Sequence, residues 1–250
     1  MNRSIATTFP PLAALLLIAL CLLCPRPAAA LKISKSLPLY AHDMEFYYQH
    51  THPEVLPGIL CAFDAHGALA QGEKRLMAAA FLAEALRRDP SARDRLLPPP
   101  DTLSRNGRFT LAWMIHLAGL ADEKTLLAGL LAPEDAPLPD QIRNSPTELA
   151  RWDIYAEKSV LQMYWAAFFA SGDTAYLDSI INAALRYARL NARGRQREEA
   201  FPVCASAAAS LYELAPRHSV VQARIEQALK ACSGPEADTL RVILRQKRPS

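Results

Sequence analysis

After the first thirty residues valine occurs only as Val55, Val160, Val203, Val220, Val221 and Val242, and no convincing alternating strand pattern is found. A chain without a period of two cannot build a half-buried sheet. Alanine, leucine, arginine and glutamate, which lose little on entering a helix, dominate instead. Their apolar members recur at helical spacing, as in GEKRLMAAAFLAEALRRD with Leu76, Ala80, Leu82 or Ala83, and Leu86. The fold class is therefore all-α, with about nine helices. Short loops between helices favour antiparallel neighbours. The expected architecture is stacked antiparallel helical hairpins, an irregular α-solenoid or bundle without a clean repeat period.

Prolines punctuate the pattern, at PPPD (98–101), APEDAPLPD (132–140), Pro202, Pro216 and Pro235. The stretch 132–144 is a candidate lobe break in a single domain over 31–250. Ser145-Pro146-Thr147-Glu148 has the form of a capping box with proline at the first helical position. It predicts a long central helix over 147–170, apolar nearly all round, stopping at Gly172. Asp173 is then the cap of the next helix.

The N-terminus predicts a signal peptide over 1–30. Arg3 supplies the basic start, Leu12 to Leu23 an apolar run, and Ala28-Ala29-Ala30 the small residues before a cut. The run is short against the ~20 residues of a membrane span. The chain is thus expected to be periplasmic or secreted, with no stable span after cleavage. The alternative is an uncleaved N-terminal membrane anchor. The leader holds Arg3 and Arg26 and no acid, so 26 of the 28 basic residues remain against 25 acidic ones. Near-neutral charge argues against nucleic acid as a partner.

Chemistry-bearing residues fall in five groups. His42, His50 and His52 cluster in YAHDMEFYYQHTHPEVLPG with Asp43 and Glu54, a candidate metal set. His50 and His52 can chelate together only on extended backbone. The competing reading is a helix start at Pro53, with Phe46, Tyr47 and Tyr48 docking the first helix. Asp153 and Glu157 are the candidate catalytic acids. On the predicted central helix Glu157 shares a face with Ile154 and Leu161, where a carboxylate needs a partner or a raised pKa. Trp152, Tyr155 and Tyr176 are candidate contact aromatics for a groove. Cys204 and Cys232 are a candidate disulfide at the open end of a hairpin turning at Pro216, and Cys61 is an apolar thiol. The arginines 186, 189, 193, 195 and 197 form a basic run blunted by Glu198 and Glu199, read as a solvated linker or a contact to an anionic surface. Phosphate loops and G-x-S-x-G, H-E-x-x-H or C-x-x-C motifs are absent after residue 30, and no cofactor is expected.

The segment YWAAFFASGDTAYLDSIINAAL (164–185) resembles one tetratricopeptide hairpin. Phe168 stands at the first-helix aromatic, Gly172 and Asp173 at the turn, Ile181 at the second-helix bulky position and Ala184 at the small one. Trp165 and Leu177 depart from it, being large where that family is small. WAAFFASGD, with FLAEALRRDP upstream, also resembles bacterial exported helical proteins of no established activity. The tetratricopeptide likeness implies protein or peptide binding on a concave face.

The sequence therefore points to an exported envelope protein with a non-enzymatic protein- or peptide-binding or scaffold role, its partner an envelope protein or peptide. The alternative is an envelope hydrolase using a buried carboxylate or the histidine cluster.

Overall fold

Alanine-rich helix sits at the centre of this molecule. The computed structural model describes residues 37–97 and 100–245, and the predicted signal peptide lies outside the described residues. Twelve α-helices are found among them, linked by short 3-10 turns, and no strand. They are α1 (Leu37–Glu45), α2 (Leu56–Ala65), α3 (Gly72–Arg88), α4 (Arg93–Leu96), α5 (Arg105–Ala118), α6 (Glu123–Leu130), α7 (Leu138–Arg143), α8 (Lys158–Ser171), α9 (Thr174–Ala192), α10 (Phe201–Leu214), α11 (Ser219–Leu229) and α12 (Gly234–Leu244). None is long and apolar enough to cross a membrane.

α3 lies between α5 and α8, and every residue from Ala78 to Leu86 is buried. Its Ala79, Ala80 and Ala83 and the Ala166, Ala167 and Ala170 of α8 are all in the core. Small side chains at such contacts let helix axes approach closely. α8 turns into α9 at Gly172, which takes a φ of 73° that only glycine adopts at no steric cost. Asp173 caps α9 by accepting from the amide of Ala175 at 2.9 Å. α9 continues the core to α10 and α12.

Three expectations about this architecture need correction. First, there are more helices than the nine expected. α7 forms inside the proline-rich 132–144 stretch, and its Leu138 and Ile142 are buried in the common core. Second, the long helix from Thr147 is absent. The Ser145 hydroxyl donates back to the Gln141 carbonyl at 2.8 Å and so closes α7. Glu148 pairs with Arg151 in a 3-10 turn, and the Asp153 side chain accepts from the Tyr155 amide at 2.9 Å. These local bonds offer the backbone an alternative to helix, and α8 begins only at Lys158. Third, α11 contacts α12 and α9 rather than forming a tight hairpin with α10. The sulfurs of Cys204 and Cys232 are both free thiols, so the candidate disulfide is not formed.

Candidate functional site

A groove of about 700 Å³ opens between the end of α5, the length of α6 and the segment leading through α7. Its walls carry Leu127, Ala128, Leu131, Pro133 and Pro139, and its polar groups are His116, Glu123, Lys124 and Arg143. The volume and the few converging polar groups suit a bound ligand.

The groove exists because two turns are held open by specific bonds. Ser104 caps α5 by accepting from Gly107 at 3.2 Å, and α5 ends at Gly119 with a φ of 67°. That stop brings His116, in the last turn of α5, against Glu123, in the first turn of α6, at 2.8 Å. The other ring nitrogen of His116 faces the Ser145 carbonyl at 2.9 Å. Both partners present acceptor oxygens, so an N–H on either ring nitrogen has an acceptor in place. His116 is buried and stands edge-on to Trp113.

Asp135 fixes the opposite wall. One of its oxygens accepts from the Ala132 amide at 3.0 Å and the other from Arg105 Nε at 2.7 Å. The Ala132 N–H bond, with help from Arg105, holds the carboxyl below the usual aspartate range despite its burial. The Arg105 guanidinium then lies 5.1 Å from the centre of the Phe109 ring.

The histidines singled out from sequence do come together. His42, His50 and His52 line one small cavity of about 90 Å³ with Asp43, Phe46, Tyr47 and Val55. Yet no group of three or more His, Cys, Asp or Glu among the described residues is arranged to hold a metal ion. His42 leans on Phe46 at 4.7 Å, and His52 pairs with Glu54 at 3.2 Å. The helix-start reading of Pro53 fits, since a 3-10 turn opens there and leads into α2.

Glu157 is not the buried acid expected. It precedes α8, is exposed, and accepts from the Ser159 hydroxyl at 3.0 Å. Asp153 is also exposed. A buried acid does exist, on α3: Glu84, gripped by Arg87 and by the Tyr176 hydroxyl at 2.9 Å. Burial raises the Glu84 carboxyl, with Arg87 opposing, and burial beside Glu84 raises the Tyr176 phenol.

The candidate contact aromatics do not converge on the groove. Trp152 donates to the Pro146 carbonyl at 2.8 Å and meets Trp113 edge-on at 5.9 Å. Tyr155 lies under the Arg186 guanidinium at 4.4 Å, and Tyr176 is committed to Glu84. The arginine run is largely paired too: Arg186 and Arg195 reach Glu198, and Arg189 reaches Glu236.

Two clusters escaped the sequence reading. One is the His116–Glu123 pair. Its signal was present, because the seven-residue spacing across Gly119 places both side chains at one helix corner. The other is His218, wholly buried between Glu45 and Tyr48. Its partners are some 170 residues away, and nothing local marks them.

Fold and site together define a class: an all-α protein with an open apolar groove and basic side chains on its walls. Comparisons with family models, curated proteins and solved structures return no match.

Proposed function

We propose that this is an exported, non-enzymatic binding or scaffold protein of the cell envelope, and that the groove along α6 is its binding face. The observation that carries the reading is the groove itself: about 700 Å³, mostly apolar, with a few polar groups. The expected occupant is a protein or peptide segment. A stacked-hairpin arrangement of the tetratricopeptide kind belongs to the same reading. It is supported by the two-residue turn joining α8 to α9 and by their mutual packing.

The alternative of a hydrolase has less behind it. Glu157 is exposed beside Ser159, and the buried carboxylate, Glu84, is closed off by Arg87 and Tyr176. A general acid needs a reacting atom within hydrogen-bond reach.

A photo-crosslinking amino acid at Leu127, inside the groove, tests the reading in intact cells, with the exposed Lys230 as control position. Discrete adducts are expected from position 127 and not from 230. Adducts from neither, or equally from both, would sink it.

A further inference from the structure

The groove's charge and hydrogen-bonding inventory narrows its occupant. We infer that it takes a short apolar peptide segment bearing a carboxylate, with Lys124 as the ionic anchor. The inference rests on the binding reading above.

Charge comes first. The one acid on the groove wall, Glu123, is engaged by His116 at 2.8 Å. Arg143 is bridged to Asp140, both well exposed. Lys124 is exposed on the wall and has no ion pair or hydrogen-bond partner among the described residues. The groove therefore offers an unmatched positive charge beside apolar surface, which complements a ligand that is apolar and anionic.

Hydrogen bonding then separates a peptide from an aliphatic acid. α6 ends when the Leu131 amide bonds to the Leu127 carbonyl, and the Ala132 amide is taken by Asp135. Ala128 lines the groove, and its carbonyl is left without a donor among the described residues. Last-turn carbonyls are orphans by construction. An acyl chain laid over this turn would strip water from that oxygen and put nothing in its place. A peptide N–H replaces the water.

Length follows from geometry. Eight residues of α6 span roughly 12 Å at ~1.5 Å each. An extended peptide rising ~3.3 Å per residue covers that with about four residues.

The probe is a fluorescently labelled pentapeptide of leucine and alanine with a free C-terminal carboxylate, compared with its C-terminal amide and with sodium hexadecanoate. Anisotropy is read against the native protein and the variants Lys124→Glu, Lys124→Arg and Leu127→Arg, each checked for native circular dichroism. The acid peptide is expected to bind. Amidation or Lys124→Glu weakens it about tenfold, a loss equal to one ion pair desolvated in part. Their combination weakens it no further, Lys124→Arg retains binding, and Leu127→Arg abolishes it. If acid and amide bind alike and only Leu127→Arg matters, the carboxylate inference is overturned while the groove stands as the binding face. If hexadecanoate binds in a Leu127-sensitive way and neither peptide does, the peptide inference is overturned and the binding reading survives. If no probe binds up to about 1 mM, or none responds to Leu127→Arg, the inference fails outright, and insensitivity to Leu127→Arg removes the groove as well.

Discussion

Nε2 of His218 lies 2.9 Å from a carboxylate oxygen of Glu45, across 173 positions of sequence. Nδ1 of the same ring meets the Tyr48 hydroxyl at 3.0 Å, so a neutral imidazole protonated on Nε2 satisfies both neighbours. Phe46 stacks on the ring at 4.7 Å and Phe169 lies 5.4 Å away. Arg217 holds the second oxygen of Glu45. The cluster ties α1 and the turn after it to the start of α11.

Glu45→Ala leaves a wholly buried histidine without its acceptor and Arg217 without its ion. The expected cost is about 2–4 kcal/mol, the range for removing one partner from a buried hydrogen-bonded pair. Urea unfolding measures it. Amide exchange should show α1 losing protection before the rest of the chain. A change under about 0.5 kcal/mol, within surface-substitution scatter, would mean the tie carries no stability.

Two buried carboxylates should give pH dependences of opposite sign. Burial raises Glu84 above its ordinary 4.5, so its folded form holds protons that the unfolded chain has released. Its contribution to stability is complete below that value and is lost as pH rises through the raised one. Glu84→Gln should therefore gain on the native protein as pH climbs from about 4.5 toward neutrality. Asp135 is lowered from 3.8 by the Ala132 amide and Arg105. Its contribution is present above 3.8 and disappears as pH falls through the folded value. Asp135→Asn should be most destabilised near neutrality and approach the native protein in acid. Denaturant midpoints of the three proteins over a pH series check both signs, and parallel curves would refute both.

Helix identity was legible because it depends on local spacing. The all-α expectation held among the described residues, as did the turn at Gly172 and the cap at Asp173. What failed was the reading of Ser145 to Glu157. A serine, a proline and a glutamate at capping-box spacing can serve a helix ahead or close one behind. Ser145 closes α7, helped by the bond from His116 to its carbonyl, which is a tertiary contact. That error moved Glu157 from a solvent-exposed helix entrance into an imagined core. Glu84 shows the converse: its neighbours in sequence read as one face of an ordinary helix, and its burial follows from α5 and α8 closing on both sides of α3. The groove was readable only in part, from the Gly119 break between two helices.

The thiols give a direct check on the last helices. Cys204 is fully buried, and burial raises its thiol and that of Cys61. Raised thiols react slowly, since the thiolate is the nucleophile. Alkylation of native protein, followed by mass mapping, should modify Cys204 least. In denaturant without reductant Cys61, Cys204 and Cys232 should each be modified fully. Protection of Cys204 and Cys232 that persists until reductant is added would show that they are bonded after all.

Two glycines of the groove's helices should respond oppositely to alanine. A Cβ at Gly107, in the first turn of α5, would stand 2.7 Å from an Asp64 oxygen and 2.8 Å from its carboxyl carbon. Asp64 cannot retreat freely, because it accepts from the Ser104 amide at 2.7 Å and from the Ser104 hydroxyl. Overpacking of that kind costs about 1–3 kcal/mol, more than the ~1 kcal/mol that alanine gains over glycine in a helix. Gly129 in α6 has a helical backbone and nothing within 4 Å of the added carbon, so Gly129→Ala should stabilise by about 0.5–1 kcal/mol. Thermal unfolding separates the two: a lower midpoint for Gly107→Ala and a higher one for Gly129→Ala. Gly129 does not line the groove, so its variant should also keep the affinity for the acid peptide. Loss of that affinity with no loss of stability would show that the peptide reaches round the outer face of α6.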